Sequence, residues 1–367
     1  MPKLNFSFGF KFDNSAVKVF NQNLTYVNET VKVTTIAMGI WAGSWIRNFG
    51  TCLRRKIHFA MFRMSKGADF LHRPLTMEFV MPKDNDKLGL VLEGGGMRGV
   101  YTAGVIDFFL EENFFVDGVV GVSAGAVQAV NFVSRQEKRG FRVIATYAND
   151  KRYMSLRSLL LTGDLFNAKF CYGRIPDELD PFDYETFRNS QTKCFAAATN
   201  VLTGDASILE LKDLREDMDK LRASGSLPLV SNLVNVDGIP HLDGGIADSI
   251  PFRAMMRMGY GKCVLVLTRA KGYRKSPNRL MPLIRLKYRK FPRFVAACEN
   301  RFRVYNETLD AIDVAESRGE IFVIRPQRTV EVSRLERNSA KLEALYDEGF
   351  TEAKARFGDL KRFIGKI

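Results

Sequence analysis

Residues 88–113 read LGLVLEGGGMRGVYTAGVIDFFLEEN, and the fold class is predicted from this stretch. It begins with a short apolar run, continues with glycines and Met-Arg-Gly at 94–99, and ends with apolar residues at helical spacing. A short apolar run before glycines predicts a buried strand and a turn, and the later spacing predicts a helix. This order is typical of the opening unit of an α/β domain.

The same order of strand, turn and helix follows directly. VDGVVGV at 116–122 predicts a second buried strand, 123–125 a turn, and AVQAVNFVSRQ at 126–136 a second helix. Later segments alternate in the same way: apolar runs at 194–199, 261–268 and 320–325, and helical patterns at 300–318 and 332–356, the last with Leu335, Leu342, Leu345 and Tyr346 on one face. We therefore predict a three-layer α/β/α domain with a mainly parallel central sheet.

The chain divides into three parts by pattern. Residues 1–80 are rich in Phe and Asn and lack sustained periodicity, so we treat them as an extension whose structure the pattern does not settle. Residues 85–268 are predicted to form the main α/β domain. Residues 269–367 are predicted to be a basic segment and a C-terminal helical region that completes the same domain.

The net charge of +14 is unevenly distributed along the chain. Residues 1–85 carry 12 basic and 5 acidic side chains, and residues 269–303 carry 12 and 1, which leaves the remainder at −4. Such an excess indicates an anionic partner, either nucleic acid or a phospholipid surface. The charge belongs to two segments rather than to the body of the protein.

The sequence gives little indication of a targeting signal or of a metal site. The most apolar stretch of the extension, 33–46, is shorter than the roughly 20 residues that a membrane-spanning helix needs, and no signal-peptide cleavage pattern accompanies it. It could instead lie in a membrane interface beside the basic cluster at 54–56. The five cysteines are scattered without a CxxC pair, so we expect reduced thiols in a cytoplasmic protein, with no metal and no cofactor.

Three motifs are candidates for the chemistry. The first, Gly94-Gly95-Gly96-Met97-Arg98-Gly99, satisfies the GxGxxG fingerprint of dinucleotide-binding proteins. Its backbone N–H groups could equally form an oxyanion hole, because glycine leaves them uncrowded and a helix begins there. The second, Gly121-Val122-Ser123-Ala124-Gly125, has the GxSxG pattern of a nucleophile elbow at a strand-to-helix turn.

The second motif argues against the nucleotide alternative. A dinucleotide site needs an acidic residue at the end of the second strand, about 20 positions after the glycines. Here that strand ends at Ser123, while Asp117 stands at its start and Glu111 and Glu112 belong to the preceding helix.

The third motif, Asp243-Gly244-Gly245, follows an extended stretch at 236–242 and alone would be an ordinary turn.

Taken together and in order, GGGMRG, GVSAG and DGG resemble the patatin-like phospholipase family, lipid acyl hydrolases with a Ser-Asp dyad. The resemblance runs from about residue 87 to 268. Residues 268–277 and 334–346 are similar to the bacterial branch of the family, and residues 1–80 lie outside the resemblance. It implies that Ser123 is the nucleophile, Asp243 its general base, and the 94–99 loop the oxyanion hole. Glu93 departs from the family, in which Asp commonly precedes the glycines.

The dyad also makes physical demands of its own. Aspartate is a weak base for a hydroxyl, so Asp243 must be partly withdrawn from water and close to Ser123. Backbone donors must supply much of the remaining stabilisation, at roughly 3–4 kcal/mol for one such donor. Arg98 either adds positive charge near the oxyanion or a lipid phosphate, or is a surface arginine paired with an acid. The rival base is His241, two residues before Asp243, as in a Ser-His-Asp triad.

The basic segment 269–303 interleaves its charges with bulky apolar residues, namely Leu280, Met281, Leu283, Ile284, Leu286, Tyr288, Phe291 and Phe294. This mixture suits an anionic membrane surface with shallow insertion, and no nucleic-acid-binding motif accompanies it. We therefore expect a lipid acyl hydrolase that cleaves carboxylic esters of phospholipids or lysophospholipids through an acyl-enzyme, and that is cytoplasmic or peripheral on the membrane. The alternatives are a nucleotide-binding protein and a catalytically silent lipid-binding module.

Overall fold

The central sheet begins at β1 (Leu88–Leu92) in the computed structural model, which describes residues 87–365. The predicted extension at 1–80, with its apolar stretch and basic cluster, lies outside these residues. The later strands are β2 (Gly118–Val122), β3 (Lys193–Asn200), β4 (Ala206–Leu211), β5 (Val234–Val236), β6 (Ile239–Asp243), β7 (Lys262–Val266) and β8 (Ile321–Ile324).

The helices alternate with these strands. They are α1 (Gly99–Glu111), α2 (Ala124–Val133), α3 (Arg139–Tyr147), α4 (Leu156–Thr162), α5 (Tyr184–Asn189), α6 (Met218–Gly225), α7 (Phe252–Arg257), α8 (Met281–Lys287), α9 (Pro292–Ser317) and α10 (Ser339–Ile364). A short 3-10 turn, Gly96–Arg98, precedes α1, and a π-helical segment spans Phe170–Leu179. No helix within residues 87–365 has both the length and the apolarity that crossing a membrane would require.

The sheet order is β5-β6-β3-β2-β1-β7-β8, with β4 also paired to β3. The neighbouring strands β3, β2, β1, β7 and β8 are parallel to one another. β4, β5 and β6 join the sheet through antiparallel pairs. Side chains of β1 alternate between two cores: Leu90 and Leu92 pack with α1, α2 and α10, whereas Val91 packs with α7 and α9. Helices therefore cover both faces, and the predicted three-layer fold with a mainly parallel sheet is confirmed.

One pairing decides where the site lies. β2 pairs with β3 up to Val122 opposite Ala197, and β6 pairs with β3 from Ala198, opposite Asp243. Because β4 occupies the other edge of β3 along this stretch, β2 and β6 must share one edge. β2 runs parallel to β3, whereas β6 runs antiparallel to it. β2 and β6 therefore run toward each other, and Ser123 and Asp243 lie at their facing ends.

The C-terminal region contributes directly to the layers. β8 pairs with β7, and α10 packs against α1 so closely that a Cβ at Gly104 would overlap the Tyr346 carbonyl and one at Gly349 the Tyr101 carbonyl. Small residues at a helix contact let the two backbones approach each other, which larger side chains would prevent.

Two segments differ from the patterns described above. The extended stretch at 236–242 is a hairpin that turns at Asp237 and Gly238, both with positive φ, so β5 and β6 are separate strands. The helix predicted at 332–356 begins instead at Ser339, where the Asn338 side chain caps it by accepting from the Lys341 N–H at 3.1 Å. Residues 332–338 form a loop, and Leu335 is exposed rather than part of the buried helix face.

Candidate functional site

Ser123 occupies a strained turn between β2 and α2. Its φ of 55° and ψ of −119° lie in a region that residues with a side chain rarely adopt, and such strain is typical of functional sites. The chain is so tight here that a Cβ at Gly121 would overlap the Gly125 carbonyl and a Cβ at Gly125 the Leu92 carbonyl. The two glycines are therefore required by close backbone approach, as the GxSxG pattern predicts.

Ser224 holds this turn from the next layer. Its buried Oγ accepts from the Ser123 backbone N–H at 2.8 Å and donates to the Ala197 carbonyl at 2.6 Å. Two residues later, the Ser226 carbonyl accepts from the Asp243 N–H at 2.7 Å. The segment at 224–226 thus fixes the backbone of both candidate catalytic residues. The stretch Ala-Ser-Gly-Ser at 223–226 consists of small residues, and its hydrogen-bonding role is not apparent from the sequence.

Asp243 is 2% exposed at the end of β6. Its Oδ1 accepts from the Gly245 N–H at 2.8 Å, and its carbonyl accepts from the Thr199 hydroxyl at 2.8 Å. Its Oδ2 is buried and has no hydrogen-bond partner among residues 87–365. A buried acceptor without a partner lowers the free energy of unfolding. The position of this oxygen is therefore not explained by a contribution to stability.

Ser123 and Asp243 line the same cavity, which has a volume of about 200 Å³. The partly exposed Ser123 and the buried Asp243 reach it from the opposed ends of β2 and β6. Much of the remaining lining is apolar and comes from α2, α3, α6 and the 166–176 region, including Val127, Ile144, Phe166, Ile175, Leu214 and Met218. The cavity therefore combines a nucleophile and a carboxylate with walls suited to a hydrocarbon chain.

The glycine loop at 94–99 lines the same cavity, and its backbone N–H groups differ in whether they are hydrogen-bonded. The Met97 N–H donates to the Arg334 carbonyl at 3.1 Å, and the Gly99 N–H donates to carbonyls of the preceding turn. The N–H groups of Gly94, Gly95 and Gly96 have no hydrogen-bond partner in the described part of the chain. Of the six residues predicted for an oxyanion hole, these three glycines offer free donors, whereas Met97 and Gly99 are already engaged.

Glu93 has a structural position that the sequence did not reveal. Its carboxylate is buried and accepts from the Thr268 N–H at 2.6 Å, the Thr268 hydroxyl at 3.1 Å and the Tyr305 hydroxyl at 2.6 Å. It therefore ties the end of β1 to the end of β7 and to α9, directly before the glycine loop. The departure from Asp at this position lengthens the side chain so that it reaches these partners.

His241 is turned away from the cavity. Its Nδ1 lies 2.9 Å from the Ile239 carbonyl and its Nε2 lies 3.1 Å from the Ser207 hydroxyl. Burial lowers the pKa of the imidazole, which favours its neutral form. Since both ring nitrogens are engaged on β4 and β6, neither is available to Ser123, and the geometry favours Asp243 over His241 as the base.

The cationic side chains differ from expectation in two ways. Arg98 is 5% exposed, and its Nε has no hydrogen-bond partner within residues 87–365, so the alternative of a surface arginine paired with an acid is wrong. From the basic segment 269–303, Arg269, Lys275 and Arg301 line the cavity instead of facing outward. The Arg301 Nε donates to the Gly245 carbonyl and so supports the loop that carries Asp243.

Comparison with known proteins identifies a family match and several relatives. The patatin-like phospholipase family model matches residues 90–256, and a domain of unknown function, DUF6363, matches residues 291–365. The uncharacterized protein YjjU of Escherichia coli is 26% identical over 254 residues, which cover 63% of this chain and 70% of that protein. Lysophospholipase NTE1 of Debaryomyces hansenii is 24% identical over 263 residues, 67% of this chain but 15% of that much longer protein.

Among solved structures, VipD from Legionella pneumophila aligns with 82% of this chain and 73% of its own chain, at 13% identity and a TM-score of 0.38. The fold assignment rests on the sheet order and layers described above rather than on this likeness.

Proposed function

Residues 90–256 of this chain are a patatin-like phospholipase domain, and from that premise we propose that the protein is a lipid acyl hydrolase with Ser123 as nucleophile and Asp243 as general base. The observation that carries the proposal is the Asp243 Oδ2, a buried carboxylate oxygen that has no hydrogen-bond partner among residues 87–365, on a residue that lines the same cavity as Ser123. Such an oxygen is ready to accept the proton of a nearby hydroxyl.

The proposed reaction proceeds in two halves. Ser123 Oγ attacks the ester carbonyl carbon as its proton passes to Asp243 Oδ2, and the carbonyl oxygen becomes an oxyanion. The free N–H groups of Gly94, Gly95 and Gly96 are the donors proposed to stabilise it. The C–O bond to the alcohol breaks, the leaving oxygen takes the proton from Asp243, and water then releases the acyl group by the reverse roles.

The substrate class follows from the cavity and the relatives. The apolar walls suit an acyl chain, and the NTE1 relatives carry the name lysophospholipase. We therefore propose carboxylic esters of lysophospholipids or phospholipids as substrates. The nucleotide-binding alternative has less support, because the Asp117 Oδ2 accepts from the Leu88 N–H at 2.6 Å, at the opposite end of the strands from the glycine loop.

A fluorophosphonate probe tests the nucleophile directly. We expect one covalent adduct at Ser123, located by peptide mass spectrometry, and complete loss of labelling in Ser123→Ala. The control is the melting temperature of the variant, which should stay near that of the parent chain because Ser123 Oγ has no hydrogen bond to lose within the described residues. Folded protein that is not labelled and hydrolyses no acyl ester would point to the catalytically silent lipid-binding module.

A peripheral membrane contact through residues 269–303 is also proposed, in a narrower form than the sequence predicts. Met281, Ile284, Tyr288 and Phe294 are buried in a core cluster, so these four residues are not available for insertion. Three leucines of the same segment are exposed at 52%, 53% and 67%: Leu280, Leu283 and Leu286. A second exposed set lies on α4, namely Leu156, Leu160 and Leu161.

The two sets of leucines flank one loop. The Asn232 side chain donates to the Thr162 carbonyl at the end of α4, while the Leu229 N–H donates to the Tyr288 hydroxyl after α8. Ser231, between them, lines the cavity. Apolar residues on both sides of this loop, next to exposed basic residues, suit shallow insertion into an anionic surface beside the cavity.

Vesicle sedimentation tests the membrane contact. We expect stronger binding to vesicles with anionic lipid than to neutral ones, and a decrease at high salt. Replacing Arg289 and Lys290 together by Gln should weaken binding about 10- to 30-fold, at about 1 kcal/mol per basic residue near the surface. Equal binding to neutral and anionic vesicles at low salt would contradict the electrostatic part of the proposal.

A further inference from the structure

Seven cationic side chains line the cavity, and they fall into two groups. Arg139 and Arg222 have carboxylate partners, Asp180 at 3.2 Å and Asp164 at 3.5 Å. The other five have no ion pair with any residue in the range 87–365: Arg98, Arg269, Lys275, Arg301 and Arg334. The second group comes from the glycine loop, the segment after β7, α9 and the loop before α10.

This part of the cavity holds an excess of positive charge. Three carboxylates line the cavity, and Asp164 is the partner of Arg222, so the five cations face the two that remain, Glu93 and Asp243. Glu93 is already engaged by Thr268 and Tyr305, and it forms no ion pair with the group. Arg98 is buried, Arg269, Lys275 and Arg301 are partly buried, and Arg334 is exposed. Because charges withdrawn from water are ordinarily paired, cations without a counter-ion around a cavity are the arrangement expected where an anionic ligand completes the set.

Arg98 gives the second, independent observation. Its side chain is buried, at 5% exposure, and lines the cavity, and its Nε has no hydrogen-bond partner in the part of the chain that the structure describes. Burial, followed by the charges of Arg269 and Arg334, lowers its pKa to about 10. Burial, followed by the charges of Arg301 and Arg334, also lowers the pKa of Lys275 well below its ordinary value. The cations are therefore close enough to repel one another.

From this arrangement we infer a phosphate-binding subsite formed by Arg269, Lys275 and Arg334 together with Arg98, which selects acyl esters with an anionic phosphate headgroup over zwitterionic or neutral ones. The inference rests on the hydrolase function proposed above and adds a headgroup class to it. Guanidinium groups bind phosphate oxygens through paired N–H donors, and lysine adds a point charge.

The same surroundings disfavour a choline or ethanolamine headgroup. Such a group carries a cation beyond its phosphate, and it would need a free carboxylate or an open aromatic face. The nearby aromatic rings are already used, since Arg269 lies over Tyr273 at 4.5 Å and Lys275 over Tyr305 at 3.6 Å. A phosphate without an attached ammonium therefore fits the cationic group best.

Hydrolysis of three soluble substrates with one short acyl chain, all below their micelle concentrations, tests the selection apart from any membrane effect. They are 1-acylglycerol 3-phosphate, 1-acylglycero-3-phosphocholine and 1-acylglycerol. We expect kcat/KM to be at least about 10-fold higher for the first, given that hydrogen bonds to charged groups contribute about 1.5–3 kcal/mol. Lys275→Gln and Arg334→Gln should each reduce this preference about 5- to 10-fold, whereas Lys354→Gln, an exposed cation on α10, should leave it unchanged.

A binding experiment separates the subsite from catalysis. In calorimetry on the Ser123→Ala variant, glycerol 3-phosphate should bind, and the additional Arg334→Gln change should weaken binding about 10-fold. Inorganic phosphate that binds as tightly, with no preference among the acyl esters, would identify a free-phosphate site and overturn headgroup selection. Ser123-dependent hydrolysis of all three esters at similar rates, without binding of either phosphate, would overturn the subsite but leave the hydrolase intact. Absence of both labelling and hydrolysis would instead overturn the hydrolase.

Discussion

Asp243→Asn should lower kcat/KM for an acyl ester about 10²- to 10⁴-fold, the range in which a general base contributes. The amide oxygen of the new side chain must take the place of Oδ1, because the Gly245 N–H donates there at 2.8 Å. The amide nitrogen then replaces Oδ2 in the cavity, and an NH₂ group cannot accept the Ser123 proton. The geometry of the turn thus makes this substitution selective for the proton-accepting atom.

Stability should change little on the same substitution. Replacing the buried carboxylate by a neutral amide removes a desolvation cost, but it also removes one of the carboxylates that face the cationic side chains of the cavity. We expect these opposed effects to leave the melting temperature close to that of the parent chain. A loss of activity without a loss of stability separates a catalytic role from a structural one.

His241→Ala is the matched control for the rival base. Its loss of hydrogen bonds to Ile239 and Ser207 should lower stability, but activity per folded molecule should stay within about 3-fold of the parent, because neither nitrogen faces Ser123. Hydrolysis should be measured well below the melting temperature of each variant. If His241→Ala abolishes activity while Asp243→Asn retains most of it, the Ser-Asp assignment is wrong.

Gly349→Ala should lower the free energy of unfolding by about 3 kcal/mol, since overpacking a tight contact costs about 1–3 kcal/mol and here the neighbour is backbone. The added Cβ would overlap the Tyr101 carbonyl of α1, which can move away only if the two helices separate. Urea denaturation, analysed by the linear extrapolation of unfolding free energy, measures this change.

Gly358→Ala, on the same helix, should have the opposite effect. The atom nearest to its added Cβ is an Arg362 guanidinium nitrogen at 3.9 Å, so the methyl group meets open space. Alanine is favoured over glycine inside a helix by about 1 kcal/mol, and we expect stabilisation of about 0.5–1 kcal/mol. Equal effects of the two substitutions would show that α10 does not pack on α1 as described.

The Gly349 experiment also bears on the site. α1 starts directly after the glycine loop, and the loop before α10 accepts the Met97 N–H through Arg334. Residues 291–365, which lie beyond the patatin-like match at 90–256, therefore support the loop proposed as the oxyanion hole. We expect Gly349→Ala to reduce activity as well as stability, because the spacing between these helices sets the position of that loop.

Local patterns along the chain were enough to predict the main helices and strands and the type of fold. Short apolar runs followed by glycines and helical spacing are local signals, so the strands at 88–92 and 118–122, the turn at Ser123 and the layered α/β class could all be predicted. The glycine at 121 was required by backbone crowding within a few residues of it, whereas the glycine at 125 is required by the Leu92 carbonyl at the end of β1, a contact between distant parts of the chain. The order of the three motifs was enough to indicate the family.

The tertiary structure decided how these parts meet. No spacing in the sequence says that β6 continues the edge of β3 left by β2, yet this pairing is what brings Asp243 to Ser123 and turns His241 away. Nor does the sequence say which members of a basic segment face inward: Lys275 and Arg301 line the cavity, whereas Leu283 on the same segment faces out. The physical reason is that strand pairing and burial depend on contacts between residues far apart in the chain, which a local pattern does not contain.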